Sequence, residues 1–156
     1  MAGKHKRRIA VLIDAENTPA RLANRLFGEV AKLGKSKVRC LYGNLAKPTL
    51  KAWTEAASCH HITPRPNGPH AKRKNVSDFT LIIDAMDLLF ADRFDGLFIV
   101  SRDSDFAGLA RYVREKGKTV YGITSAPECL RAQCDELIDL KLATAGQNQK
   151  ALSPSP

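Results

Sequence analysis

Two short apolar runs, each leading into aspartates, are the feature that most constrains the fold of this chain. Residues 8–13 read RIAVLI and stop at Asp14, while residues 96–101 read GLFIVS and precede Asp103 and Asp105. Neither run alternates apolar with polar residues, which is typical of strands buried on both faces of a parallel sheet. Such a sheet needs helices on both of its faces.

The remaining sequence alternates strand patterns with helix patterns. Proline near a helix start and glycine after a helix end mark several of the boundaries. Further strands are predicted at 37–43, 60–63, 119–124 and 136–140. Helices are predicted from Thr18-Pro19 to Gly34, from about Pro48, after a cap at Ser77, over 106–116, and from 125–127 to about Cys134. The helix capped by Ser77 is apolar on more than one side, so we expect it to be well buried. The pattern predicts an α/β fold with a mostly parallel central sheet.

The net charge of +9 is unevenly distributed along the chain. Residues 1–77 hold 16 Lys and Arg against 4 Asp and Glu, whereas residues 78–156 hold 9 against 12. Residues 64–75, PRPNGPHAKRKN, combine three prolines with four basic side chains and are predicted to form a loop. A basic half of this kind favours a polyanionic partner, although surface lysines that only keep a protein soluble would look the same.

The aspartates that follow the two apolar runs predict a cation site. In an open parallel sheet, ligands bind beyond the carboxyl ends of the strands, where the strand order reverses. If the two strands are neighbours there, Asp14, Asp103 and Asp105 converge, and Asp78 joins them from the first turn of its helix. Carboxylates at such close range repel each other by several kcal/mol when unscreened. Mg²⁺ or Mn²⁺ would relieve this repulsion and could activate water for attack on phosphorus.

Each aspartate also has a simpler explanation. Asp105 could cap the helix that follows it, Asp103 could be a turn residue, and Asp78 could interact only with the helix dipole. Asp14 is harder to explain by packing, because it directly follows a buried strand. Asp84 lies six residues after Asp78, roughly 120° round the helix, so both cannot face one ion squarely. Asp84 could therefore support the metal ligands, be an outer ligand or face solvent.

Polar residues near these aspartates have open roles. Asn17 could orient a water, contact a phosphate or cap the first helix. Lys74 could reach a phosphate or keep Asp78 ionised. We expect Glu16 to face solvent or the rim of the cleft.

The chain is expected to form one domain over residues 8–140, between a basic arm (1–7) and a disordered polar tail (141–156). No apolar stretch reaches the roughly 18 residues of a membrane helix, and the N-terminus does not resemble a secretory signal. We therefore expect a cytoplasmic protein with reduced, mostly buried thiols. Cys59-His60-His61 could suggest zinc, but neighbouring residues on a strand point to opposite faces.

Three segments together resemble the NYN domain, a branch of the PIN-like nuclease superfamily, and within it the LabA-like (DUF88) group. They are VLIDAENTP (11–19), KNVSDFTLIIDAMDLL (74–89) and VSRDSDFAGLARYVREKGKTVYGI (100–123). The resemblance covers about residues 8–140. It implies a Rossmann-like, three-layer α/β sandwich with helices on both faces. It also implies an Mg²⁺- or Mn²⁺-dependent endoribonuclease that hydrolyses RNA phosphodiester bonds with a metal-activated water.

The resemblance assigns roles to individual residues. The metal-binding, catalytic aspartates of the family fall on Asp14, Asp78, Asp103 and Asp105, and its polar helpers fall on Asn17 and Lys74. Asp84, Ser101 and Ser104 are expected to surround the metal ligands. The residues expected to contact RNA, whether single-stranded or structured, are Arg65, Lys72, Arg73, Lys74 and Arg102. Arg102 replaces a glycine that is common in the family, and its long cation could reach a phosphate or crowd the site.

Two other classes of function compete with the nuclease. A catalytically weak or inactive RNA-binding or scaffold module would keep the fold and the basic half of the chain. A receiver-type or haloacid-dehalogenase-type phosphotransfer domain also places carboxylates at strand ends. Asp14, however, has no acidic neighbour of the receiver type, and position 16 is Glu where such a phosphatase needs Asp. A glycine-rich phosphate loop is absent. The sequence leaves open whether the chain acts as a monomer or a homodimer.

Overall fold

Six parallel strands form one sheet in the computed structural model, which describes residues 6–65 and 76–141. The strands are Arg8–Asp14 (β1), Lys35–Tyr42 (β2), Thr63–Arg65 (β3), Gly96–Val100 (β4), Thr119–Ile123 (β5) and Glu136–Ile138 (β6). The α-helices are Ala23–Leu33 (α1), Lys51–His60 (α2), Val76–Phe90 (α3), Ala107–Glu115 (α4) and Glu128–Arg131 (α5). One-turn 3₁₀ helices precede or follow them at Ala15–Asn17, Ala20–Leu22, Pro48–Leu50 and Ser104–Phe106.

The strand order is β3-β2-β1-β4-β5-β6, so the direction of winding reverses between β1 and β4. These two strands pair directly, with Ile13 opposite Val100 at their carboxyl ends. The turns that follow them therefore open into one crevice, as expected at the switch point of an open α/β sheet. The predicted neighbourhood of the two apolar strands is confirmed.

Helices cover both faces of the sheet. On β2, the Tyr42 hydroxyl donates a hydrogen bond to Asp84 on α3, whereas the Arg39 guanidinium lies over the Phe27 ring of α1 at 4.5 Å. These side chains point to opposite faces because their positions differ by an odd number of residues. Right-handed crossovers then place α1 and α2 on one face and the later helices on the other. The predicted three-layer α/β sandwich is confirmed, and its sheet is fully parallel in the described chain.

The strands β1 and β4 are the most fully buried strands of the described chain. Residues 9–13 are at most 2 % exposed, and residues 97–100 are fully buried. A polar side chain on either strand would lie against a helix layer without water to solvate it, which explains why both runs are continuously apolar.

The third predicted strand, expected around 60–63, exists but is displaced towards the C-terminus. The helix α2 continues through His60 and ends where His61 adopts the left-handed conformation, with φ of 54°. The strand β3 begins only at Thr63. The ring of His60 stacks on Phe27, with 5.0 Å between ring centroids, and its Nε2 lies 2.8 Å from Asn24 Oδ1. His60 thus has a packing role. The strand geometry used to argue against a zinc site does not exist, but within the described residues no group of three metal-binding side chains includes Cys59, His60 or His61.

The orientation of α3 also differs from the prediction. The helix begins at Val76, so Ser77 lies inside its first turn and is not the cap. One face of α3 packs into the core, but Phe79, Ile83 and Phe90 on the other face are 61 %, 65 % and 69 % exposed. The expectation of burial on more than one side is wrong because the described chain places no further layer over this helix.

Several predicted segments lie outside the described residues, namely most of the basic arm (1–5), most of the basic loop (66–75) and the polar tail (142–156). Across 6–65 and 76–141, no helix is both long and apolar enough to cross a membrane. All four cysteines fall within these ranges and are free thiols, but the expectation that they are mostly buried is wrong, since Cys59 and Cys129 are exposed and Cys40 and Cys134 are only half-buried.

Candidate metal centre

Asp14 is the last residue of β1 and is only 1 % exposed. Its Oδ2 accepts hydrogen bonds from the Ser101 hydroxyl at 2.7 Å and from the Asn17 side-chain amide at 2.8 Å. Its Oδ1 accepts from the Glu16 backbone N–H at 3.2 Å. Asn17 closes the 3₁₀ turn after β1 and does not cap α1. The carboxylate is therefore oriented on three sides before any ligand binds.

The turn after β4 supplies the second carboxylate. Ser101 Oγ, which donates to Asp14, also accepts from the Asp103 backbone N–H at 2.9 Å, so one buried hydroxyl links the two strand ends. Asp103 Oδ1 accepts from the Asp105 backbone N–H at 2.9 Å. Asp103 is thus the cap of the 3₁₀ turn that leads into α4, and the expectation that Asp105 caps this helix is wrong. The Ser-x-Asp-Ser-Asp spacing places Asp105 two residues after Asp103, and a cap side chain accepts from a backbone N–H two or three residues later.

Asp78 completes the cluster from α3. It lies in the first turn of that helix and is 9 % exposed. One carboxylate oxygen each from Asp14, Asp78 and Asp103 can be chosen so that all three lie within 4.8 Å of one another. Three of the four predicted metal ligands are therefore brought together at the switch point.

The electrostatics of the cluster are unfavourable for three ionised carboxylates. Burial, followed by the negative charges of Asp14 and Asp103, raises the pKa of Asp78 to about 7. Burial also raises the pKa of Asp14, although the hydrogen bonds from Ser101 and Asn17 oppose that rise. A site of this kind holds a proton or a cation near neutral pH, because like charges in a desolvated pocket disfavour full ionisation.

The oxygen atoms suit a hard divalent cation. Mg²⁺ binds oxygen ligands at about 2.1 Å in an octahedron, which sets adjacent oxygens about 3 Å and opposite oxygens about 4.2 Å apart. The 4.8 Å limit of the cluster is close to this range, so small side-chain movements would complete the geometry. Only carboxylates form the group, which disfavours soft metals that need thiolate ligands.

Other predicted site residues lie around this group or outside the described chain. The Asp105 carboxylate is exposed and does not belong to the group of three, but its charge contributes to the raised pKa of Asp78. Ser104 is exposed within the same 3₁₀ turn. Lys72, Arg73 and Lys74 are not among the described residues.

Asp84 and Arg65 form a separate pair beside the cluster. Arg65 Nε donates to Asp84 Oδ2 at 2.9 Å, and the Tyr42 hydroxyl donates to the same oxygen at 2.8 Å. Burial, together with the neighbouring Cys40 and Asp84, raises the pKa of Tyr42, so its hydroxyl stays protonated and can donate. Asp84 is thus hydrogen-bonded to residues of β2 and β3, and its negative charge balances the positive charge of Arg65.

Arg102 lies over the turn that follows β1. Its Nε donates to the Asn17 backbone carbonyl at 3.2 Å, and its side chain is exposed. This hydrogen bond connects the turns after β1 and β4 at the protein surface. The bond from the Ser101 hydroxyl to Asp14 connects the same two strand ends in the interior.

Sequence reasoning missed two residues that support the β1 turn. Thr18 Oγ1 donates to the Val100 carbonyl at 3.1 Å, and Trp53 Nε1 donates to the Thr18 carbonyl at 2.8 Å. Both side chains are buried. Their partners lie 82 and 35 residues away in the sequence, so no local pattern could have indicated these bonds.

Comparisons with known proteins agree with this architecture. A family model described as the NYN domain matches residues 8–141. No curated protein matches the chain significantly. Among solved structures, a protein of unknown function from Vibrio parahaemolyticus is similar with a TM-score of 0.72 and 19 % identity, over 90 % of this chain and 97 % of that chain. At that identity the similarity concerns the fold. Since the family model spans nearly the whole described chain, the protein belongs to the NYN domain family of the PIN-like superfamily.

Proposed function

We propose that this protein is an Mg²⁺- or Mn²⁺-dependent endoribonuclease that hydrolyses phosphodiester bonds in RNA. The observation that carries the proposal is the group of Asp14, Asp78 and Asp103 oxygens within 4.8 Å, at the switch point of a parallel sheet. Membership of the NYN domain family, within a nuclease superfamily, supports the same chemistry.

Asp14, Asp78 and Asp103 would hold the cation, and Asp105 would add negative charge beside them. When bound, Mg²⁺ or Mn²⁺ activates a water for attack on phosphorus and stabilises the leaving oxygen. Asn17 and Ser101 donate to Asp14 Oδ2 and so favour its ionised form. Lys74 is proposed to contact the phosphate, with Asp84 and Ser104 in the surroundings of the site.

The proposed partner is RNA, held mainly through its phosphates. The candidate contacts are Arg65, Lys72, Arg73, Lys74 and Arg102, and four of these five belong to the basic half of the chain. Arg65 keeps 47 % of its side chain exposed while it pairs with Asp84, which leaves part of its guanidinium open to a phosphate.

A cleavage assay on single- and double-stranded RNA and DNA tests the proposal. RNA cleavage should require added Mg²⁺ or Mn²⁺, stop with EDTA, and fall at least about 100-fold in Asp14→Asn and Asp103→Asn. Asp87→Asn is a matched control, because Asp87 is exposed on the same helix as Asp78 but does not belong to the cluster. Wild-type cleavage that persists in EDTA would contradict the proposal.

A second candidate function is an RNA-binding or scaffold module that keeps the fold without cleaving. The charge of the first half of the chain, 16 basic against 4 acidic residues, favours it. Its signature would be salt-sensitive RNA binding with no cleavage under any divalent metal.

We also propose that the protein belongs to the LabA-like (DUF88) group, is located in the cytoplasm and forms a homodimer. Four free thiols suit a reducing compartment, which supports the location. Sedimentation equilibrium would distinguish a monomer from a homodimer.

A further inference from the structure

A cleft of about 500 Å³ opens beside the carboxylate cluster. It lies between the turn after β1, the start of α2 and the Arg102 side chain. The cleft shares both of its turns with the cluster, since Asn17 of the first turn donates to Asp14 and Arg102 directly precedes Asp103. A ligand in the cleft would therefore lie next to whatever binds at the carboxylates.

The floor of the cleft is apolar and preformed. Leu50 and Trp53 are 7 % and 2 % exposed, and Pro19 lines the same space. The bond from Trp53 Nε1 to the Thr18 carbonyl, with that from Thr18 Oγ1 to the Val100 carbonyl, anchors this floor to β4. A preformed apolar floor with a few polar groups above it is typical of a small-molecule or nucleotide site.

The charged side chains that line the cleft above the floor are the carboxylate of Glu16 and the guanidinium groups of Arg21 and Arg102. The Glu16 carboxylate is held in place, because its Oε2 accepts from the Asn44 backbone N–H at 3.1 Å and its Oε1 accepts from Lys47 Nζ at 3.2 Å. Its side chain is 28 % exposed. A carboxylate offers about four lone-pair sites, so each oxygen can accept one more hydrogen bond. Arg102 uses its Nε on Asn17 and keeps its terminal nitrogens free of hydrogen bonds within the described chain.

Among the RNA bases, guanine best matches the carboxylate of Glu16 and the guanidinium of Arg102. Its N1–H and N2–H₂ are adjacent donors that fit the two oxygens of a carboxylate, and its O6 and N7 are acceptors that fit a guanidinium. The other bases set a donor next to an acceptor on the same edge, which a carboxylate repels. We propose that the cleft binds a guanine base of the RNA, with Glu16 on its N1–N2 edge and Arg102 on its O6–N7 edge. The position of that base beside the cleaved bond rests on the proposed nuclease function.

The chain contains a single tryptophan, Trp53, so its fluorescence reports on this cleft directly. GMP, IMP, AMP, CMP and UMP are titrated in EDTA, with equilibrium dialysis as a second measure of binding. We expect GMP to bind at least about tenfold more tightly than AMP, CMP or UMP, with IMP intermediate because it lacks the N2 amino group. Glu16→Gln and Arg102→Ala should each reduce this preference to less than threefold. Glu55→Gln, an exposed glutamate on α2, should keep it.

Sites of cleavage are then mapped in RNA of random sequence. We expect guanine to be enriched at one position next to the cut, and Glu16→Gln to remove the enrichment. No saturable nucleotide binding by either method, or a GMP preference unchanged in both variants, would overturn the guanine site. A protein that prefers GMP but cleaves no RNA would retain this site and refute the nuclease. Cleavage without guanine enrichment or GMP preference would refute only the guanine site.

Discussion

At the scale of single residues, the Ser101 hydroxyl joins the two halves of the metal centre. It is fully buried, donates to Asp14 and accepts from the Asp103 backbone. We predict that Ser101→Ala weakens Mn²⁺ binding about 10- to 100-fold, because a group that orients a ligand usually contributes that much to metal affinity. Titration calorimetry measures the change. Ser58→Ala, an exposed serine on α2, serves as the control, and equal Mn²⁺ affinity in both variants would contradict this role.

The raised pKa of Asp78 predicts that its carboxylate lowers the folding stability of the metal-free protein as the pH rises. Because its folded pKa, about 7, lies above the ordinary aspartate value of 3.8, the folded state binds the proton more tightly than the unfolded state. Stability is therefore lost as the pH rises from 4 to 7. Asp78→Asn removes this loss of stability. At about 1.4 kcal/mol per pKa unit, we expect the free energy of unfolding at pH 8 to be a few kcal/mol higher in this variant than in the wild type.

Urea denaturation in EDTA at pH 8 and pH 4 measures this effect. The gain from Asp78→Asn should shrink at pH 4, because the folded wild-type carboxyl is then protonated and the unfolded one is close to half protonated. Excess Mg²⁺ should make the wild type more stable than Asp78→Asn at pH 8, since only the wild type has the full ligand set. Asp87→Asn on the exposed face of α3 should change stability by less than about 0.5 kcal/mol at either pH. A gain that does not depend on pH would contradict the explanation.

At the scale of secondary structure elements, α3 presents two apolar faces with opposite environments. Leu81 is fully buried, whereas Ile83, two residues later, is 65 % exposed. We predict that Leu81→Ala lowers the free energy of unfolding by about 2–5 kcal/mol, through lost burial and the cavity left behind. Ile83→Ala should cost less than about 0.5 kcal/mol. Chemical denaturation of both variants tests this orientation, and similar losses would show that Ile83 is covered in solution.

At the scale of the whole molecule, charge is separated between two halves of the chain. The basic half includes residues 66–75, which are predicted to form a loop and lie outside the described residues, and the acidic half supplies most of the carboxylate cluster. Replacing Lys72, Arg73 and Lys74 by Ala should weaken binding of single-stranded RNA and make it less sensitive to salt. At about 0.7 per phosphate contact, the slope of log K against log salt should change by about 2.

Binding measured between 50 and 300 mM KCl tests this prediction. A control variant removes the same charge from the acidic half by replacing Arg111, Lys116 and Lys141, all of them exposed. The control should keep the wild-type slope. Equal changes of slope in both variants would mean that only the net charge matters.

Much of the architecture was predictable, because the features that indicate it are local. The continuous apolar runs at 8–13 and 96–101 predicted buried parallel strands, and all six predicted strands exist, although one was displaced from 60–63 to Thr63–Arg65. Element ends were less predictable, since they depend on single backbone conformations such as that of His61. The exposed face of α3 was not predictable, because composition does not show whether a further layer covers a helix.

The sequence by itself determined the alternation of strands and helices, the aspartates that follow β1 and β4, and the resemblance to the NYN domain. Only the tertiary structure decided which of the predicted acidic residues meet. Asp14, Asp78 and Asp103 come together although they lie on three different elements, while Asp84 pairs with Arg65. The buried Ser101 link and the cleft between Glu16 and Arg102 were decided in the same way. The physical reason is that strand pairing and helix packing set these distances, and both join residues that are far apart in sequence.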